Sequence, residues 1–181
     1  MFVLVIGNIG AGKTRFQEAL QHSLQCPGVG IDDIREKYLK SLISEEYESW
    51  VSLLRFIETH QRGVIEFSGI GIHKHTVRKA LELHGVYCVV HLVEDLKVLQ
   101  GRLTHKKWGF GNPFNLDATT QLDSNQERLS STETRDFWSE TSLRYFELCS
   151  ANEGARQHVI DQIEELVALS ESDAARRQTC E

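Results

Sequence analysis

Proline is scarce in this 181-residue sequence, with two occurrences, so long proline-rich linkers are excluded. The four cysteines, Cys26, Cys88, Cys149 and Cys180, are widely spaced and form no C-x-x-C pair. Neither a zinc site nor a disulfide framework is signalled, and the usage suits a reducing compartment. Cys88 falls in an apolar run and reads as a small buried hydrophobe. An excess of positive charge is also missing: 20 Lys+Arg against 26 Asp+Glu leave a net charge of −6. That argues against general duplex binding but leaves room for a local basic cleft. No apolar run approaches the ~20 residues that span a bilayer. Met1 to Ile6 meets Gly7 too soon, and without a basic leader, to be a signal peptide. A soluble, cytoplasmic protein with no membrane partner is expected.

What is present is the composition of a folded domain, 40% hydrophobic and 25% charged. A chain of this size hides roughly 70% of its unfolded surface on folding. Strand-like and helix-like periods alternate along it. Phe2 to Ile6 is a continuous apolar run, as in a strand buried on both faces of a parallel sheet. Phe16, Ala19, Leu20 and Leu24 then share a helix face. Pro27 to Ile31 enters a short second strand, and Ile34, Tyr38, Leu42, then Tyr47, Trp50, Val51, Leu54 and Ile57, mark two helical stripes. Val64 to Phe67 is the third strand and Val86 to Val93 the fourth, each followed by a helix. Residues 105–118 read as a long loop and 119–150 as polar helix. His158-Val159-Ile160 is expected to be a short last strand, before a terminal helix carrying Ile163, Leu166 and Val167. Residues 1–171 are thus expected to form one α/β domain with a parallel sheet, with 105–150 as a lid and helical segment and 172–181 as a flexible tail.

Gly7-Asn8-Ile9-Gly10-Ala11-Gly12-Lys13-Thr14 fits G-x-x-x-x-G-K-[ST] at every fixed position. Glycines let the backbone curl so that its N–H groups point at phosphates, and the following helix adds its N-terminal dipole. Lys13 would reach the β- and γ-phosphates, and the Thr14 hydroxyl would ligate Mg²⁺. Nucleotide binding, with ATP and Mg²⁺, is the expectation.

Asp32-Asp33-Ile34-Arg35 follows the second strand, at the sheet end where open α/β folds bind ligands. One Asp would take the proton from an attacking hydroxyl, while its neighbour holds Mg²⁺ or caps the next helix. Arg35 would pin an acceptor phosphate or carboxylate. The phosphate loop followed by D-D-x-R resembles the adenylate kinase-like group of P-loop kinases. Within that group it is most similar to the 5′-kinase domain of polynucleotide kinases, with zeta toxins, shikimate and gluconate kinases and chloramphenicol phosphotransferase as relatives. The resemblance implies a three-layer sandwich with a sheet of about five parallel strands in the order 2-3-1-4-5. It implies Asp32 as general base and Asp33 and Arg35 as acceptor contacts. The third strand, Gly63 to Ser68, would bear the Walker B position; Ser68 falls where polynucleotide kinases place an Asp. Either Glu66 would substitute there as a metal ligand, or the loop Ser68-Gly69-Ile70-Gly71 would line the acceptor pocket, with Ser68 and Gly69 as acceptor contacts.

Arg102 and Lys106 are four apart and so share a helix face, with Lys107 beside them. Similar kinases carry a basic lid at this point, so Arg102 would contact nucleotide and, with Lys106, close on the transferring phosphate. Trp108-Gly109-Phe110-Gly111 would supply hinges and aromatic cover. His73-Lys74-His75 reads as surface loop, His91 as a core histidine, and Arg135 and Arg176-Arg177 as surface. The function expected is transfer of the γ-phosphate of ATP to a hydroxyl or phosphate of a nucleoside, nucleotide, nucleic-acid end or small metabolite. The alternative is a nucleotide-binding regulatory protein with little turnover. A GTPase-type switch is disfavoured, because no N-K-x-D motif is found.

Overall fold

The computed structural model describes residues 1–38, 43–105 and 118–178. The elements run β1 (Phe2–Gly7), α1 (Lys13–Leu24), β2 (Gly28–Gly30), α2 (Ile31–Tyr38), α3 (Ile43–Thr59), β3 (Gly63–Glu66) and α4 (Lys74–His84). There follow β4 (Tyr87–Val93), α5 (Leu96–His105), α6 (Ala118–Ser130), α7 (Thr132–Ser139), β5 (Arg144–Cys149) and α8 (Glu153–Gln178). The five strands are all parallel in the order β2-β3-β1-β4-β5, as expected.

The apolar runs seen in sequence are buried on both sides. On β1, Val3 and Val5 face one core with Phe16, Leu20, Leu99 and Ile163. Phe2, Leu4 and Ile6 face the other with Trp50, Leu53, Ile57 and Trp138. Each strand therefore serves two helical layers, which is why its run is continuous and not alternating. The chain leaves β1 toward β2 and β3 and returns on the other side to β4. This reversal opens a crevice at the carboxyl end of β1, where α/β folds bind ligands.

Two expectations fail at the far edge. The fifth strand is Arg144–Cys149, inside the segment read as helix, and His158 to Ile160 lie within α8. Tyr145 and Leu148, three apart, imitate a helical stripe. In the strand, Phe146 and Leu148 point to one core and Tyr145 to the other. Val159, Ile160 and Ile163 supply a helix face to the first core. Residues 105–150 thus include a sheet strand as well as helices, and the α8 backbone continues to Gln178 through much of the segment expected to be a flexible tail. Leu122 of α6 joins the first core and Trp138 of α7 the second, so this pair passes from one face of the sheet to the other. Lys106, Lys107 and Trp108 to Gly111 lie outside the described residues. Among the described residues, no helix is long and apolar enough to cross a membrane.

Candidate active site

The phosphate loop joins β1 to α1 at the head of the crevice. Gly10 and Gly12 have φ of 77° and 83°, left-handed values that side-chain-bearing residues rarely adopt. Gly12 stands at the N-cap of α1 with no side-chain cap, and no acid lies in the first turn. The amino end of this 12-residue helix therefore has no side-chain cap and no acid of its own first turn competing for its N–H groups and dipole, as phosphate binding requires. Asn8 is buried and holds the loop's outer wall. Its Nδ2 donates to Leu122 O at 3.0 Å and Gln126 Oε1 at 2.9 Å, and its Oδ1 accepts from Ile9 N at 2.8 Å. The side chain so fastens α6 to the loop.

Beneath the loop lies Glu66, the last residue of β3, with 2% of its surface exposed. Thr14 Oγ1 donates to Glu66 Oε2 at 3.1 Å, and Lys13 Nζ stands 3.5 Å from Glu66 Oε1. Lys13 also donates to Asn8 O at 3.1 Å. Burial pushes the Glu66 carboxyl above its ordinary range; Lys13 and the Thr14 hydroxyl oppose this, and Asp32 and Asp33 add to it. These hard oxygen donors, the Thr14 hydroxyl and the Glu66 carboxylate with Asp33 nearby, fit the preference of Mg²⁺. Among the described residues no group of three or more His, Cys, Asp or Glu is arranged to hold a metal by itself, so phosphate and water would complete the shell.

Across the crevice, Asp32 and Asp33 occupy the first turn of α2. Asp33 Oδ2 and Glu66 Oε2 lie 2.9 and 3.0 Å from where a Gly30 Cβ would stand, so the missing side chain brings the two carboxylates together. Asp32 is 63% exposed and accepts from Arg35 Nη1 at 2.9 Å. Arg35 also donates Nε to Glu46 Oε2 at 2.8 Å and Nη2 to Glu46 Oε1. Trp50 Nε1 donates to Glu46 Oε1 at 2.8 Å, and His73 stacks on Trp50 at 4.4 Å. Burial works against the Arg35 charge, but Glu46 and Asp32 outweigh it and hold the guanidinium firmly protonated. Burial would also raise Glu46; the bonds from Arg35 and Trp50 prevail and hold its carboxyl below the usual range.

Ser68 and Gly69 are tied to the root of the loop. Ser68 O accepts from Gly7 N at 3.4 Å, and Gly69 O accepts from the Trp138 indole at 2.8 Å. Gly69 has φ 82°, and a Cβ there would stand 2.6 Å from the Ile6 Cβ, so only glycine lets this loop lie against β1. Arg102 meets the loop's outer side, donating to Gly10 O at 2.9 Å and Ser150 Oγ at 3.3 Å, with Glu94 Oε2 at 3.0 Å. It is built into the wall of the loop by three partners.

The sequence pattern gives no site role to Glu46, Trp50, His73 or Arg156: Trp50 falls in a helical stripe and His73 in an expected surface loop. Glu46 and Trp50 are four apart in a helical stripe, the one spacing that would have paired them. Arg156, in the first turns of α8, brings Nη2 to 3.4 Å from a Gly12 Cβ position, and its buried Nε has no hydrogen-bond partner. Its signal was the cap: Asn152 Oδ1 accepts from Ala155 N at 2.9 Å, and the helix starts at Glu153, five residues before the strand-like stretch begins.

No family model matches the sequence, and no curated protein is similar to it by sequence. Solved structures are similar in fold. A gluconokinase from Sinorhizobium meliloti 1021 superposes with a TM-score of 0.61 at 14% identity, covering 93% of this chain and 95% of its own. A shikimate kinase from Acinetobacter baumannii in complex with shikimate gives 0.58 at 18%, covering 93% of each. The YorR protein of Bacillus subtilis, in complex with phosphorylated GDP, gives 0.59 at 15%, covering 95% and 98%. The chain has the fold of the adenylate kinase-like P-loop kinases.

Proposed function

We propose that this protein is an ATP-dependent phosphotransferase that moves the γ-phosphate to a hydroxyl on a small molecule. The observation that carries the reading is the cluster of Lys13, Thr14 and Glu66 under an uncapped glycine loop, with Asp32 and Asp33 facing it across the crevice. One side suits a nucleotide's phosphates and the other a group that must lose a proton.

The loop amides and Lys13 bind the β- and γ-phosphates, and Lys13 leaves Glu66 for the stronger phosphate charge. Thr14 and Glu66, with Asp33, would hold Mg²⁺, which supplies charge neutralisation at the phosphates when bound. Asp32 accepts the acceptor hydroxyl's proton: it lies beside Arg35 and is 63% exposed. Arg102 stiffens the loop through Gly10, and Arg156 lies where it would meet the nucleotide beside Gly12. Lys106 is proposed to close on the transferring phosphate from the lid.

The similar structures named for gluconate and shikimate support a small-molecule acceptor more than a nucleic-acid end. The test is acceptor-dependent ADP formation by the native protein and by Asp32→Asn across nucleosides, nucleotides, oligonucleotides and sugars. ADP formation that rises with a hydroxyl acceptor and falls in the variant supports the reading. Nucleotide binding with no acceptor-dependent ADP would favour a regulatory, non-transferring protein instead.

A further inference from the structure

The acceptor side of the crevice contains an arginine where D-D-x-R kinases would be expected to grip an anion, but that arginine is already occupied. All three of its nitrogens donate to carboxylates: Nε and Nη2 to Glu46 in a fork-to-fork pair, and Nη1 to Asp32. The pair is well enclosed, with Arg35 15% and Glu46 12% exposed. Glu46 is locked by a second donor, the Trp50 indole at 2.8 Å, and Trp50 is itself covered by His73 and packed on Phe67. An incoming carboxylate or phosphate would have to displace a bidentate partner that is held from behind. It would do so against Asp32, Asp33 and Glu46, with Glu66 beyond them. Among the described residues, acids outnumber uncommitted cations on this wall.

We infer that the acceptor bears no anionic group at the Arg35 end of the crevice: it is an uncharged or amine-bearing hydroxyl compound, and the Arg35–Glu46 pair is a device that excludes anionic acceptors. This rests on the kinase reading for the word acceptor, but the exclusion itself is a binding property. The guanidinium is a structural strut between α2 and α3, which carry Arg35 and Glu46 respectively.

The experiment follows the indole ¹⁵N–¹H signal of Trp50, assigned by Trp50→Phe, with the phosphate loop filled by a non-hydrolysable ATP analogue. D-gluconate, inorganic phosphate and the uncharged D-glucitol are titrated into the native protein, into Glu46→Gln, which removes the charge and the two-point carboxylate pair on Arg35, and into Asp32→Asn, which removes the charge facing Nη1. The expected result is no saturable shift of native Trp50 by either anion. Glu46→Gln, or Asp32→Asn should the first not fold, gains anion binding at least tenfold tighter than native. Anion binding by the native protein within tenfold of the opened variants would overturn the inference, as would variants that gain none. In parallel, any acceptor-dependent ADP formation is compared for glucitol against gluconate and for nucleosides against their 3′-monophosphates, with the uncharged member expected to be preferred. Preference for the anionic member would overturn the inference while leaving the kinase reading intact. Failure of the kinase reading is separate, and would appear as no ADP formed with any acceptor.

Discussion

The two walls of the crevice handle charge in opposite ways. On the phosphate-loop wall, the α1 amino end is uncapped, Lys13 is held only by a carbonyl and a 3.5 Å carboxylate contact, and the backbone curl leaves room above the loop. Lys13 and the helix amino end are loosely held, while Arg102 stiffens the loop from its outer side. On the α2–α3 wall Arg35 is committed three times over, and its main partner is fixed by an indole. The loose wall is ready for a highly charged ligand; the locked wall offers shape, hydrogen bonds and a carboxylate. A shared fold therefore says little about an acceptor, because the fold sets where the walls stand and a few ion pairs set what each will accept.

The largest effect expected is on the loose wall. Lys13→Ala should cut phosphoryl transfer by roughly 10³-fold, as loss of a cation at developing charge does, and should lower unfolding stability as well, since it leaves buried Glu66 without its cation. Steady-state ADP formation and a thermal melt check both parts. On the opposite wall, Asp32→Asn should lower turnover by roughly 10²-fold while ATP affinity stays within twofold of native. Asp33→Asn should act differently, raising the Mg²⁺ concentration needed for half-maximal rate. If the two variants exchange behaviours, the base and the metal-side acid have been assigned the wrong way round.

Asn8 ties the loop to α6 by two hydrogen bonds and accepts a third from Ile9 within the loop. Asn8→Ala leaves their partners unsatisfied and should cost about 1–3 kcal/mol of stability, read by urea unfolding. The same loosening should weaken nucleotide binding, since the loop loses its outer wall. The smallest effect concerns Glu66, which belongs to both walls. Its pKa lies above the unfolded value, near 4.3, so the native state binds more protons in that window. Stability is then lost as pH rises through it, so the penalty is greater at pH 8 than near pH 4. Glu66→Gln removes the penalty and should raise the apo melting temperature by roughly 2 °C at pH 8, with the gain vanishing near pH 4. The same variant should need more Mg²⁺. A variant less stable than native at pH 8 would mean that the bonds from Lys13 and Thr14 outweigh the desolvation of Glu66.

The loose wall was legible in the sequence, because phosphate binding is done by backbone and by one contiguous motif. Gly7 to Thr14 had to be read together, and the apolar run before it and helical period after it fixed its place on β1 and α1. Glu66 was legible as the acid nearest the expected position. The locked wall was legible only in its first half. Arg35 was visible beside Asp32, but its commitment depends on Glu46, 11 residues away on another helix, and on Trp50 and His73 beyond it. Such a pairing has no sequence period. β5 was missed for a different reason: at a sheet edge its six residues alternate between exposed and buried, so it lacks the continuous run that marked β1 and β4. Arg156 was hidden by that same error, since a strand placed at 158–160 moves the start of α8 past it.

The central claim is that the loop side binds ATP so that its γ-phosphate passes to a hydroxyl across the crevice. The most direct measurement is ³¹P NMR of the native protein with ATP, Mg²⁺ and a panel of uncharged and amine-bearing hydroxyl compounds, with Lys13→Ala as control. A phosphomonoester signal growing in step with ADP, and absent from the control, is the result predicted. ADP accompanied only by inorganic phosphate, or ATP left unconsumed with every acceptor, would contradict it.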